Sequence, residues 1–394
     1  MTAPAAVRRA GGSDDAISGV VPREVVRPES VEEVADVMRA AATDGLTVVP
    51  LGGRSKVTWA APPSSCDLLL DVTGLDRVVE HVAGDLTAVA EAGVRLADLQ
   101  AQLGEEGQLL GLDPPEDGAT LGGVVSANAS GPRRLRYGTT RDLLIGTTVV
   151  LADGTVAHAG GKVVKNVAGY DLGKLYTGAH GTLGVVVSTT WRLHPVPPAR
   201  RAVVLDLPDA AAAGPLAVRL TGSTLTPSAI ELLGEAGGAG QLVVLFESIP
   251  ESVTAQARAA VELLGGGTEH DEPPAAFGRR PGGSDDLLLR LAYLPSALPQ
   301  VLAALPTGAA VAASAGTGVA YAALPASEVG ALPGLRAALA PYDGTAVVLR
   351  APEAARATLD HWGPVGDALD LMRRVKERFD PERRMSPGRF VGGL

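Results

Sequence analysis

The chain has 394 residues, 46% of them hydrophobic and 20% charged, proportions that indicate a globular protein long enough for two domains. A net charge of −10 argues against nucleic acid as a partner, because a phosphate-binding face needs an excess of Lys and Arg; a local basic pocket for an anionic substrate stays open. The lone cysteine, Cys66, excludes an intrachain disulfide and a multi-cysteine iron–sulfur site, and it fits a reducing cytoplasm.

No stretch reaches the ~20 apolar residues of a transmembrane helix. Residues 1–19 lack an apolar core for a signal peptide and read as a disordered tail. Next, Ser30 caps a helix with Glu33 completing a capping box, and Val31, Val34, Ala35, Met38, Ala41 and Ala42 keep to one face. Gly45 ends this helix and Leu46–Pro50 reads as a buried strand. The glycine turn Pro50-Leu51-Gly52-Gly53-Arg54-Ser55 follows, and its backbone N–H groups either ring an anion or serve an ordinary strand-to-loop turn. Leu68–Val72, Arg77–Val82 and Leu86–Ala92 are short strands, and Val94–Leu103 is a helix. No G-x-G-x-x-G motif follows a strand, so the dinucleotide fingerprint of dehydrogenases is absent.

The stretch from Asp113 to His194 organises the chain. Asp113-Pro114-Pro115 is a rigid turn. Ala119 to Gly146 reads ATLGGVVSANASGPRRLRYGTTRDLLIG, and Gly160 to Ser188 reads GGKVVKNVAGYDLGKLYTGAHGTLGVVVS. Glycines recur where the chain would turn, and they let the backbone approach a ligand. Thr120, Ser126 and Asn128 add donors suited to diphosphate and ribityl oxygens. Arg133, Arg134 and Arg136 form a basic cluster, either a solvated loop or one contact to a phosphate or carboxylate. Leu143–Leu151 and Thr155–Ala159 pair through a turn at Asp153-Gly154.

These two segments resemble the FAD-binding domain of the vanillyl-alcohol-oxidase, or p-cresol-methylhydroxylase (PCMH), family. Lys165-Asn166-Val167-Ala168-Gly169-Tyr170-Asp171-Leu172 is most similar to the branch formed by the FAD-binding E subunits of bacterial glycolate oxidases. The resemblance implies an α+β fold: a PCMH-type FAD-binding domain of two α+β subdomains over residues 20–198, a cap over 199–364, and a C-terminal segment, 365–394, returning to the FAD domain. It also implies FAD contacts at Pro50, Leu51, Gly52, Gly53, Arg54, Ser55, Pro114, Thr120, Gly122, Gly123, Ser126, Asn128, Gly131, Tyr137, Gly138, Asp142, Gly184, Val185 and Val186. No histidine lies between Met1 and Glu80, so covalent attachment there is excluded and the FAD is expected to be noncovalent. Lys162 and Lys165 are either surface lysines or cations for the N1/C2 edge of the reduced ring. His180 reads as a satisfied loop histidine.

Pro195-Val196-Pro197-Pro198 is a stiff exit. Strands at Val203–Leu207, Leu242–Glu247, Asp286–Tyr293, Ala309–Ala313, Val319–Leu324 and Thr345–Arg350, with helices at Glu251–Leu264 and Ser327–Leu339, read as a ferredoxin-like α/β cap. Gly265–Asp285 reads as a polar loop, and internal-repeat signal is weak. The amphipathic helix Ala368–Phe379 leads to Met385-Ser386-Pro387-Gly388-Arg389, where Ser386 stands at a position that is often Asn in relatives.

Oxidation of a 2-hydroxy acid needs a base, a cation for the carboxylate and a flavin. The six histidines include no His-x-His pair of the kind carried by the D-subunit branch, so the catalytic residues are unassigned; His361 and Arg350 are weak candidates, and no metal cluster is visible. The resemblance implies a glycolate oxidase assembly with a second FAD subunit and an iron–sulfur subunit, with this chain either oxidising substrate or relaying electrons. The expected location is cytoplasmic, reaching the inner face of the membrane through partners. A stand-alone FAD oxidase of another small alcohol or hydroxy acid and a flavin-free assembly subunit are the alternatives.

Overall fold

A computed structural model describes residues 6–162 and 171–394. The chain forms two main hydrophobic cores. One is built from residues up to Leu193 with Met385 added from the C-terminus, and the other from residues between Val203 and Ala351.

Among the described residues the first unit contains two main sheets and a two-stranded pair, Gln108–Leu109 with His194–Pro195. Val7–Ala10, Glu24–Arg27, Leu68–Asp71 and Val48–Leu51 lie side by side in that order, the last three parallel. The N-terminal segment expected as a disordered tail is therefore ordered from residue 6 onward. Two anchors explain this: Ile17 is buried among Val25, Val49 and Leu69, and Arg9 makes a two-pronged ion pair with Asp15 at 2.6 Å on each arm. The helix Val31–Thr43 covers this sheet with Val34, Val37 and Met38, and the Ser30 hydroxyl accepts the Glu33 N–H at 3.2 Å as its spacing requires.

The second sheet is antiparallel, in the order Val78–Val82, Thr87–Glu91, Val185–Arg192, Leu144–Val150, Val156–Gly160. Trp191 is fully buried in its core, its indole N–H satisfied by the Thr189 hydroxyl at 2.8 Å. The motif around Lys165 and Tyr170 lies outside the described residues.

The second unit corrects the cap expectation. Its single antiparallel sheet has eight strands, not six. Ala199–Leu207, helix Ala213–Thr221, Ala229–Glu235, Gly240–Ser248, helix Pro250–Leu264 and Thr268–His270 follow one another as βαββαβ. The same order then repeats: Leu287–Ala292, helix Leu298–Ala304, Ala310–Ser314, Val319–Leu324, helix Leu332–Leu339 and Thr345–Arg350. Each half is a ferredoxin-like unit, and the two join edge to edge where Ala229–Glu235 pairs with Ala310–Ser314. The repeat is hidden in the sequence because a half needs only alternating small apolar residues, which many sequences satisfy. Thr268–His270 falls inside the predicted loop because an exposed three-residue edge strand carries no alternation signal.

The chain ends on the first unit. The Val48 N–H donates to the Arg384 carbonyl at 2.9 Å and the Ser386 N–H to the Val48 carbonyl at 2.8 Å. Lys376, 1% exposed, locks this return: its ammonium donates to the Thr182 carbonyl, the Asp380 carboxylate and the Met385 carbonyl at 2.7, 2.7 and 2.9 Å.

Candidate cofactor cleft and the face that covers it

The strand Val48–Leu51 leads into the turn at Gly52-Gly53. A Cβ on Gly53 would overlap the Gly118 carbonyl oxygen, and one on Gly52 the Thr120 hydroxyl. The Gly53 N–H donates to that hydroxyl at 3.3 Å. Both glycines are thus required by the close approach of two loops. Residues 50–55, Thr120 with residues 122–123 and 126, and residues 184–186 converge on one cleft that is open to solvent. Three separate predicted stretches meet there.

Six predicted contacts do not reach this cleft. Pro114 lines a separate groove with Arg133 and Phe277. Asn128 is exposed and ends the helix Leu121–Ala127 with φ 47°. A side chain on Gly131 would strike the Asp113 carbonyl, so that glycine closes a loop. Tyr137 stands edge-on to His194 at 4.8 Å, and Gly138 makes room for Asp142. Asp142 itself is exposed and accepts the Thr139 N–H and hydroxyl at 2.8 Å each, as a helix cap. These six residues shape the loops around the cleft and do not line it.

The other candidates fall elsewhere. Lys162 is exposed and pairs with Glu80. His361 is buried, with Nδ1 against the Leu359 carbonyl at 2.9 Å, and does not line the cleft. Arg350 donates to the Gly283 carbonyl. Among the described residues no group of three or more His, Cys, Asp or Glu could hold a metal.

Several cleft residues were missed by sequence reasoning: Lys56, Ala127, Gly181 and Arg389, with His180, read as a satisfied loop residue, beside them. His180 has φ 51° and stands edge-on to Trp362 at 5.2 Å. Burial, assisted by the charge on Arg389, pushes its pKa down to about 3, so its ring is neutral at ordinary pH. Lys56 is held below the usual lysine value by burial, opposed by Glu116 at 3.6 Å.

Over the Lys56 end of the cleft lies the second face of the cap sheet. Strand alternation sends Leu287, Leu289 and Leu291 toward the cap helices and Arg290 to the opposite face. Arg290 is directly opposite Tyr321 on the next strand, and Glu231 opposite Ser314. Trp59 and Ala127 of the first unit pack with Tyr321. The Arg280 guanidinium lies 3.6 Å from the Tyr321 ring centroid and pairs with Glu116 at 2.9 Å. Arg134, 9% exposed, donates to the Ser130 carbonyl at 2.5 Å and to the Tyr321 hydroxyl at 3.3 Å. The remaining arginines of the predicted cluster clamp the units together: Arg133 pairs with Glu247 at 2.6 Å and Arg136 donates to the Glu247 carbonyl at 2.8 Å.

The joint therefore gathers Lys56, Arg134, Arg280 and Arg290 against Glu116 and Glu231. Burial pushes Glu231 up to about 7, and one of its oxygens has no partner. Burial also raises Asp113 to about 6 despite Arg133. Burial works to raise the Tyr321 phenol, but Arg280, Arg134 and Arg290 together hold it below the usual tyrosine value. The result is a cation-rich, largely buried cluster beside the Lys56 end of the cleft, with a charge suited to an anionic ligand.

Residues 22–160 match the family model described as FAD binding domain, and residues 355–390 match that of FAD linked oxidases, C-terminal domain. This chain carries an FAD-binding domain. It has the fold of p-cresol methylhydroxylase with substrate bound (TM-score 0.74, 16% identity, 94% of this chain and 89% of that one). Chitooligosaccharide oxidase is similar over 96% of this chain and 95% of its own, with TM-score 0.68 and 18% identity. Among curated relatives, glycolate oxidase subunit GlcD of Bacillus subtilis is 30% identical over 216 residues, 55% of this chain and 46% of that protein. A D-2-hydroxyglutarate dehydrogenase of Stutzerimonas stutzeri is 35% identical over 189 residues, 48% of this chain and 41% of its own length. A mitochondrial D-lactate dehydrogenase [cytochrome] of Arabidopsis thaliana is 33% identical over 215 residues, 55% of this chain and 38% of its own. The chain thus spans less than half the length of these relatives.

Proposed function

We propose that this chain is an FAD-dependent oxidoreductase acting on the CH–OH group of a small 2-hydroxy acid. We further propose that it works as the E-type subunit of a glycolate oxidase assembly beside a second flavoprotein and an iron–sulfur subunit. The observation that carries the reading is a glycine-lined cleft that includes Lys56, with Arg280 joined to Lys56 through Glu116 and Arg134 and Arg290 beside Tyr321 in the joint behind it. The names of three relatives, for glycolate, D-2-hydroxyglutarate and D-lactate, support an α-hydroxy carboxylate as the substrate class.

The residues fit the cofactor. Loops that a Cβ would fill at Gly52 and Gly53 let the backbone line the cleft closely, and the Ser386 and Arg389 side chains keep buried polar atoms without partners. When bound noncovalently, FAD supplies the acceptor for the two electrons released by the alcohol. Arg290 and Arg280 would bind the substrate carboxylate, with the Tyr321 hydroxyl orienting it. Arg134 keeps that hydroxyl in place by donating to its oxygen. The Arg133–Glu247 pair keeps the cap closed over the cleft.

The test is to load the purified chain with FAD and add glycolate, D-lactate or D-2-hydroxyglutarate without oxygen. Bleaching of the flavin band by one of the three is the expected result. If these acids fail alone and also with the partner subunits, while a neutral alcohol succeeds, the substrate class is wrong.

A further inference from the structure

Among the described residues, the return helix Ala368–Phe379 and the segment before Gly184 leave an apolar groove on the first unit, lined by Leu175, Leu183, Leu371, Met372, Val375 and Phe390. Leu371, Val375 and Phe379 recur at helical spacing, yet Leu371 is 57% exposed, so the apolar stripe runs past its intramolecular contacts to solvent. The floor is preformed, because Lys376 is pinned to the Thr182 and Met385 carbonyls. Cations border the groove. Arg374 and Arg378 are exposed, one turn apart, on the flank of the helix beside Leu371. The acids of this helix are already engaged, Asp370 by Arg373 at 3.0 Å and Glu377 by Arg383 at 3.6 Å. Among the described residues neither Arg374 nor Arg378 has an ionic partner. Arg378 lies in the last turn, where a cation also suits the helix C-terminus, but Arg374 precedes that turn. A chain of net charge −10 thus sets two uncompensated cations along an apolar groove.

We propose that this groove docks an acidic amphipathic helix of a partner protein, with apolar side chains in the groove and an Asp or Glu flank against Arg374 and Arg378. Charge of opposite sign on the two surfaces selects such a partner. A helix fits where a strand does not. No strand lines the groove, so an extended peptide finds no sheet edge, whereas a helix satisfies its own backbone and offers apolar side chains at i, i+3, i+4 and i+7. A second copy of this chain is disfavoured, since a two-fold pairing of the same face sets Arg374 and Arg378 of one copy against those of the other. A flat lipid surface would meet the rim at Leu371 and leave the buried Leu183 uncovered. The same two segments carry both sites: His180, Gly181 and Arg389 line the cofactor cleft, while Ala179, Thr182, Leu183 and Phe390 line the groove. A partner seated here therefore rests on segments that also wall the cleft. The inference does not depend on the FAD reading, because the groove is formed by the chain's own side chains.

The test titrates the purified chain, all 394 residues, into two fluorescein-labelled synthetic helices and reads anisotropy. One helix carries Leu at i, i+3, i+4 and i+7 with Glu along one flank, and the other has Lys in place of each Glu. Wild type should bind the Glu helix saturably and the Lys helix about tenfold more weakly. Leu371→Asp should lower affinity for the Glu helix by more than about tenfold, through loss of the apolar anchor. Arg374→Glu combined with Arg378→Glu should reverse the preference, so that the Lys helix binds better, a gain that misfolding cannot produce. Should Leu371→Asp fail to fold, that reversal still decides. No saturable binding of the Glu helix to wild type overturns the proposal, as does equal binding of the two helices or an unchanged affinity in the variants. Light scattering and co-sedimentation with phosphatidylglycerol vesicles identify the other occupants. A dimer that Leu371→Asp dissociates would make the occupant a second copy, and vesicle binding lost in that variant, without helix binding, would make it a lipid surface. Either result overturns the proposal.

Discussion

The two walls of the candidate site are built by different means. On the first unit the wall is largely backbone: Gly52, Gly53, Gly122, Gly123, Gly181 and Gly184 line it, and an added Cβ at Gly52 or Gly53 would strike a neighbouring loop. On the cap the wall is side chains, with Glu231, Tyr321 and Arg290 projecting from the polar face of a sheet whose other face is apolar. A backbone wall tolerates no added Cβ and depends on how its loops are tethered. A side-chain wall tolerates substitution within the fold, and its chemistry changes with each charge.

That contrast can be broken in several places. The largest expected effect is at the tether. Lys376→Met leaves Asp380, 0% exposed, as a buried carboxylate without its cation and frees the Thr182 carbonyl, which should cost about 3–5 kcal/mol. Urea unfolding would read it, and a loss below about 1 kcal/mol would mean that the return segment is held by apolar contacts instead.

Next comes Glu231. Its folded pKa is raised to about 7 by burial, whereas an unfolded glutamate titrates near 4.3. The unfolded chain therefore holds fewer protons between these values, and stability falls as pH rises through that window. The loss is up to roughly 4 kcal/mol once both states are ionised. Urea midpoints at pH 5 and pH 8 should converge in Glu231→Gln relative to wild type; an equal fall in both proteins would assign the slope to other groups, Asp113 first.

Gly53→Ala should weaken FAD binding by about 1–3 kcal/mol, because the new Cβ pushes residue 53 off the Gly118 carbonyl. Titration of FAD fluorescence measures it, and unchanged affinity would remove this turn from the cofactor site. The smallest effect is expected from Lys162→Met, an exposed pair worth less than about 1 kcal/mol. Neither the flavin potential nor FAD affinity should move, and a change in either would return Lys162 to the role expected from the sequence.

The same contrast explains what the sequence reveals. Residues 50–55, Thr120, Gly122, Gly123, Ser126 and residues 184–186, expected from the family resemblance, line one cleft, and the glycines forced by close approach are visible in order along the chain. Gly131, Gly138 and Asp142 look alike in sequence but shape loops. The cap wall was missed although it leaves a trace, a single charge inside an apolar strand: Glu231 in Ala-Ile-Glu-Leu-Leu and Arg290 in Leu-Leu-Leu-Arg-Leu. Such a charge shows that one strand face meets something polar. Only register shows that Arg290 faces Tyr321 and that Arg134 and Arg280 arrive from elsewhere. The duplicated cap was hidden for a related reason, since its two halves share an order of elements and not a motif.

The division of labour between the walls is tested most directly by measuring two affinities in one variant. FAD and oxalate, a carboxylate that the flavin cannot oxidise as an alcohol, are titrated into wild type and Arg290→Met, with oxalate followed through the visible spectrum of the loaded flavin. The account predicts that FAD affinity is unchanged and oxalate affinity falls by about 10–100-fold, the loss of one charge-assisted pair. Intact oxalate binding in Arg290→Met, or a parallel loss of FAD, would contradict it.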